Sequence, residues 1–286
     1  MPLKGFSVPL SPEGRASLTP VPPWHYAGEV LVVDFAADPA AVRAVLPPHL
    51  EPDPADPGGC VAFFVAWQYA SEGGEEYLDP ARSQYNELIL LVNALYRRPN
   101  GASGGPGDPG GPHQGAAAQP VHTCPYIYVD KDTSMARGWI QGWPKKYGEV
   151  HTTRAFPLAS KAAPRVEPGG RFGGTLAANG RRLAEAVVQL EKVSDDPVYL
   201  GKRPVVNLRY FPQLAGGGKA KPPVCELVRS KMSGVQSTEV WEGEATLDFF
   251  SAPDNELDIF RPVAVRRGYR YGMTMTIDDL EVLEIL

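Results

Sequence analysis

Short runs of β-branched and aromatic residues, cut apart by glycine and proline, constrain this chain more than any other feature. Seven runs read as strands: 29–35, 60–67, 87–92, 126–129, 186–190, 245–250 and 267–276. Thirty glycines and thirty prolines punctuate the chain around them. Proline removes a backbone donor and glycine weakens any regular element it interrupts, so long helices are disfavoured. Many short strands at irregular spacing predict a mainly β fold, closed as a barrel or sandwich.

Helical signals are few. Asp38 stands before Pro39 and before apolar residues at helical spacing up to Leu46, the pattern of an N-cap with proline at the first helical position. Residues 130–135 form a second short helix in this reading, with Asp130 and Asp132 suited to its N-terminus. The stretch from Pro99 to Gln119 is rich in Gly, Pro and Ala and cannot bury a core. It reads as a mobile loop inserted within one domain spanning 1–286.

At 286 residues the chain is long enough for a large core. A net charge of −5 gives no electrostatic footprint for nucleic acid. No apolar run approaches the roughly 18 residues of a membrane span, and the first residues lack the apolar core of a signal peptide. Cys60, Cys124 and Cys225 form no CxxC pattern, which argues against a disulfide framework or a zinc site. The five histidines show no ligand spacing, so no metal is expected and a reduced, cytoplasmic setting is.

The chemistry points to one segment, Gly138-Trp139-Ile140-Gln141-Gly142-Trp143-Pro144-Lys145-Lys146. An isolated Pro-Lys-Lys reads as an exposed turn. A lysine held in apolar surroundings loses the solvation of its ammonium form, and a second cation nearby disfavours that charge further. A neutral amine attacks a ketone and forms a Schiff base.

Four separated pieces, in order, resemble the acetoacetate decarboxylase-like family. They are Ala41 to Glu51, Tyr85-Asn86-Glu87, Trp143-Pro144-Lys145-Lys146-Tyr147-Gly148 and Val224-Cys225-Glu226-Leu227-Val228. The resemblance runs from about Trp24 to the end. It implies a β-cone or double barrel with a few short helices, a lysine in a deep apolar pocket, and assembly into homo-oligomers. It also implies that Lys145 is the Schiff-base nucleophile, that Lys146 orients it or raises the local positive potential, and that Glu87 is an acid/base or orienting carboxylate.

The departures shape the expected reaction. The decarboxylases of the family carry an arginine where this chain aligns Gly28, and a carboxylate where it aligns Phe64. Arg137 and Gln141 instead precede Lys145 by eight and four residues. That arrangement is similar to the branch handling 2-oxo acids such as pyruvate, whose members catalyse aldol condensation and dehydration. In this reading Arg137 binds the carboxylate and Gln141 the carboxylate or the carbinolamine oxygen. Arg137 has a second reading, a surface pair with Asp132. Tyr85, Tyr269 and Tyr271 are candidate proton donors, and Trp139, Trp143, Phe64 and Trp67 line the pocket. The partners are a small oxo acid and an aldehyde, with no cofactor. Two other functions fit the same residues: decarboxylation of a β-keto acid, and a barrel that binds an apolar ligand without catalysis.

Overall fold

The computed structural model describes residues 2–97, 118–158, 160–198 and 200–286. The strands are β1 (Trp24–Ala36), β2 (Leu50–Pro52), β3 (Gly59–Ser71), β4 (Gln84–Tyr96), β5 (Gln119–Val129), β6 (Lys145–Tyr147), β7 (Glu149–Thr152), β8 (Arg171–Ala178), β9 (Arg181–Val193), β10 (Val206–Phe211), β11 (Val224–Ser237), β12 (Trp241–Phe249) and β13 (Ala264–Ile285). Three α-helices accompany them: α1 (Pro39–Ala44), α2 (Pro80–Ser83) and α3 (Asp132–Ile140). The molecule is mainly β, as expected, and each of the seven apolar runs falls on a strand. Up to residue 117 the Gly/Pro/Ala stretch lies outside the described residues, and Gln119 opens β5.

All the strands join one mixed sheet, in the order β6-β5-β4-β3-β1-β13-β12-β9-β8-β7, with β10 and β11 branching from β13 and β2 from β4. β13 is the fork. One edge pairs with β1, and the other pairs first with β12 and then, from Met273 onward, with β11. Side chains alternate between faces along a strand. On β1, β3 and β4 both faces are buried, which is why these strands read as nearly continuous apolar runs. Leu31, Ala62, Phe64, Leu88 and Leu90 point into one core, shared with β8, β9 and β12. Val30, Phe63, Val65, Trp67, Tyr85 and Ile89 point into a second core, shared with the branch of the fork carrying Met273 and Ile277.

The helix at Asp38 forms as expected: its carboxylate accepts from the Ala40 N–H at 2.8 Å, and Pro39 leads the first turn. The second helix is displaced and longer. It starts at Asp132 and runs through Arg137, Gly138 and Trp139 to Ile140. Asp130 lies outside it and ties the approach to β4, accepting from the Asn86 backbone N–H and side-chain amide at 2.7 and 2.8 Å. Gly142, with φ of +82°, ends the helix. Trp143 N–H donates to Gly138 carbonyl at 2.8 Å and Gly142 N–H to Trp139 carbonyl at 3.1 Å, the paired bonds of a Schellman cap. Pro144 then blocks further helix, and the chain enters β6.

Candidate active site

β6 pairs in parallel with β5, setting Lys145 beside Ile127 and Lys146 beside Tyr128. Ile127 faces the second core and Tyr128 the first. The two lysines therefore point to opposite sides of the sheet. Lys145 reaches a cavity of about 410 Å³ bounded by β1, β4, β5, β11, β13 and the 200–205 loop. Lys146 is exposed; its Nζ donates to Asn255 Oδ1 at 2.7 Å and lies 5.5 Å from the Tyr128 ring centre. The structure does not bring Lys146 to Lys145, so the neighbouring cation expected from the Lys-Lys pair comes from elsewhere.

The Lys145 amine is held on two sides. Its Nζ donates to Glu87 Oε2 and to Ser134 Oγ, each at 2.8 Å. Glu87 stands on the cavity face of β4, and its second oxygen accepts from Trp67 Nε1 at 2.6 Å. The lysine stem lies against α3 where the helix has no side chain: a Cβ on Gly138 would fall 2.4 Å from Lys145 Cδ. Trp139, expected on the pocket wall, is 45% exposed, and its Nε1 donates to the Lys145 carbonyl at 2.9 Å. It anchors the Lys145 backbone from outside. Trp143 does line the cavity.

Burial pushes the Lys145 pKa below the ordinary lysine value; the Glu87 carboxylate opposes this, and the Arg137 cation adds to it. Arg137 thus plays the part the sequence suggested for Lys146. It is 1% exposed, so the reading of a surface pair with Asp132 fails. Its three guanidinium nitrogens have no hydrogen-bond partner among the described residues. The guanidinium sits in a box of tyrosines, its carbon 3.5 Å from the Tyr69 ring centre, 5.6 Å from Tyr85 and 5.8 Å from Tyr26. Tyr26 and Tyr85 line the cavity, and Arg137 packs against both rings without lining it.

Gln141 lines the cavity with both ends of its amide engaged: Nε2 donates to the Arg137 carbonyl at 3.0 Å, and Oε1 accepts from Ser230 Oγ at 3.2 Å. Tyr85 also lines it; burial, with the Glu87 charge second, pushes its pKa well above the ordinary tyrosine value, so the hydroxyl keeps its proton. Tyr271 lies one layer back, its hydroxyl accepting from the N–H of the wall residue Leu200 at 3.1 Å. Phe64 is not on the wall. Period-two alternation turns it into the first core, against Gly174. Neither Gly28 nor Phe64 supplies a charge here, and Gly28 gives way to the Trp67 ring, whose Cε3 would sit 2.4 Å from an added Cβ.

Ser134, Tyr26 and Tyr69 join the site in the structure without a signal in the sequence reading. Ser134 is three residues before Arg137, on the same helical face. Extending the helix to Ile140 would have exposed that spacing. Tyr26 and Tyr69 carry no local signal, since a tyrosine in a strand is most often packing. From β11 and β13 the cavity lining takes Met232, Met275 and Ile277 together with Arg229, Ser230, Lys231 and Glu281. Among the described residues no group of three His, Cys, Asp or Glu side chains is placed to hold a metal ion, and no helix is long and apolar enough to cross a membrane.

The family model for acetoacetate decarboxylase (ADC) matches residues 7–285. No curated protein matches the chain. Among solved structures, the enduracididine biosynthesis enzyme MppR complexed with the condensation product of pyruvate and imidazole 4-carboxaldehyde is 35% identical, with a TM-score of 0.85 over 99% of this chain and 98% of that one. The same enzyme complexed with pyruvate is 35% identical, with a TM-score of 0.84 over 100% and 99% of the two chains. An acetoacetate decarboxylase-like enzyme from Sphingomonas wittichii RW1 is 28% identical, with a TM-score of 0.82 over 99% and 100%.

Proposed function

The chain belongs to the acetoacetate decarboxylase (ADC) family, and from that premise we propose that it is a Schiff-base-forming lyase. Its substrate in this reading is a small 2-oxo acid such as pyruvate, which it joins to an aldehyde and dehydrates through a lysine enamine. One observation carries the reading: a buried Lys145 amine opens on a largely apolar cavity between Glu87 and Ser134, beside an Arg137 cation without an anion. Around the amine, Lys145 and Arg137 face one carboxylate, Glu87, while Arg229 and Lys231 of the cavity lining are paired with Glu281 and Asp279. A monoanionic substrate fills that imbalance, because a buried charge without a partner is costly. The complexes of MppR with pyruvate and with an aldehyde condensation product support the same choice.

Glu87 takes a proton from the Lys145 ammonium and leaves a neutral amine. The amine attacks the ketone carbon, and the resulting carbinolamine loses water to give an iminium. Glu87, again a carboxylate, removes a proton from the adjacent carbon, and the enamine adds to the aldehyde. Holding both reactants in one cavity supplies much of the acceleration. Borohydride reduction in the presence of pyruvate is expected to fix one adduct on Lys145, located by peptide mapping, and Lys145→Ala to abolish it together with activity. Carbon dioxide release from acetoacetate outpacing condensation would make the protein a decarboxylase. Failure to trap any ketone would leave a binding barrel for an apolar ligand.

A further inference from the structure

We propose that Trp67 is a positioning residue of the Schiff-base chemistry, whose indole N–H fixes Glu87 so that one carboxylate oxygen alone serves the reacting carbon. Trp67, expected on the pocket wall, is not among the residues lining the cavity; it reaches the chemistry through Glu87, which is. The indole is 2% exposed and folds over Gly28, its cross-strand partner on β1, where an added Cβ would fall 2.4 Å from Trp67 Cε3. Tyr26 stands edge-on against it, with 5.8 Å between ring centres and 65° between planes. Held by these neighbours, the indole Nε1 donates a charge-assisted bond to Glu87 Oε1 at 2.6 Å. Lys145 Nζ donates to the other oxygen, Oε2, at 2.8 Å. The two oxygens of one carboxylate thus have separate partners.

The inference deepens the Schiff-base reading and rests on it. In the iminium, Glu87 takes a proton from C3 of the substrate. The C–H electron pair becomes the C2–C3 double bond, and the C=N pair moves to nitrogen as the lone pair of the enamine. The breaking C–H bond must stand perpendicular to the iminium plane, so the base has to lie over one face of it. A carboxylate free to rotate offers either oxygen from a range of directions. Trp67 removes that freedom: Oε1 is bound, and Oε2 stays turned toward the nitrogen and the carbon two bonds away. Loss of the indole N–H has two opposed effects. A bare oxygen is a better base, but only a fraction of that gain appears in a proton-transfer rate. A carboxylate without its tether also loses its direction, and a misplacement of about 1 Å costs on the order of 100-fold. Orientation is the larger effect.

The test is C3 hydrogen exchange in heavy water, followed by NMR, beside borohydride trapping at equilibrium. Pyruvate reports the rate. The two C3 hydrogens of 2-oxobutanoate report the direction, because they are removed from opposite faces. Wild type should exchange one of the two well ahead of the other. Trp67→Phe should slow pyruvate exchange by about tenfold or more and erase the preference, while the fraction of Lys145 trapped stays the same. A merely structural role would lower trapping and exchange together and leave the preference of the surviving fraction intact. Exchange at the wild-type rate in Trp67→Phe, a preference that survives there, or a parallel loss of trapping would overturn the inference. Should Trp67→Phe fail to fold, benzothienylalanine at position 67 keeps the shape of the indole with sulfur in place of N–H and should show the same split; wild-type exchange there refutes the proposal equally. Wild type that traps no ketone at Lys145 removes the Schiff-base reading itself, whereas normal trapping with unchanged exchange in the variant removes only the role of Trp67.

Discussion

Lys145 and Lys146 are one residue apart and face opposite sides of β6, so only one of them shares a cavity with Glu87. The charge that matters to Lys145 is Arg137, one helical turn beyond Ser134 on α3. Replacing Arg137 with Met removes a buried cation that has no anion partner, so folding stability should not fall. Binding should. A lost charge-assisted contact to a carboxylate costs about 2–5 kcal/mol, roughly 30-fold or more in the pyruvate concentration needed for trapping, with little change for a neutral ketone. The pH dependence gives a second readout. A neighbouring cation disfavours the ammonium, so its removal raises the Lys145 pKa and moves the acid limb of adduct formation to higher pH. Equal losses for acid and ketone would show that Arg137 only supports the fold or orients Lys145.

α3 and its cap form the element that positions Lys145, and its two glycines have opposite reasons to be there. Gly142 closes the helix at φ +82°, and an added Cβ would sit 2.7 Å from Val228 Cγ2. Gly142→Ala combines left-handed backbone strain with overpacking, about 2–4 kcal/mol together, and should lower the melting midpoint by several degrees. Gly138 is an ordinary helical residue where alanine would favour the helix by about 1 kcal/mol. Its Cβ would instead collide with the Lys145 stem. Gly138→Ala should therefore leave the melting midpoint nearly unchanged while suppressing the trapped adduct. A variant that melts early and still traps normally would reverse the assignment. The glycines and the Trp-Pro step are visible in the sequence, but local signals alone end the helix at residue 135. A glycine inside a helix looks like a terminator until the side chain filling its place is seen.

At the scale of the whole molecule the acid limit of stability has an identifiable source. His122 on β5 is buried, and burial, helped by the Arg203 charge, depresses its pKa to about 4. The unfolded chain takes up this proton near 6.5 and the folded chain only near 4. Stability is therefore complete above pH 6.5 and is lost as the pH falls from there towards 4, by about 3 kcal/mol in total. Urea midpoints at pH 7.5 and 4.5 should show the loss, and His122→Gln should reduce it. Identical pH slopes in both proteins would exclude His122 as the source.

The sequence by itself determined the class of fold and singled out Lys145 as the candidate nucleophile. β-branched runs set the strand interiors, Asp38 and Pro39 set a helix start, and the Trp-Pro-Lys-Lys segment with Tyr-Asn-Glu carried the family chemistry. These signals are local, because each depends on backbone preference or on a few adjacent residues. Only the tertiary structure decided which face each strand residue takes. Strands buried on both sides lose the polar alternation that marks a face, which is how Phe64 was placed in the wrong core. It also decided the partners. Tyr26, Tyr69, Ser134, Arg137 and Lys145 meet only after β1, β3, β4 and β6 are brought together around α3. That convergence depends on long-range register and on the fork at β13, and no short stretch of the chain encodes either.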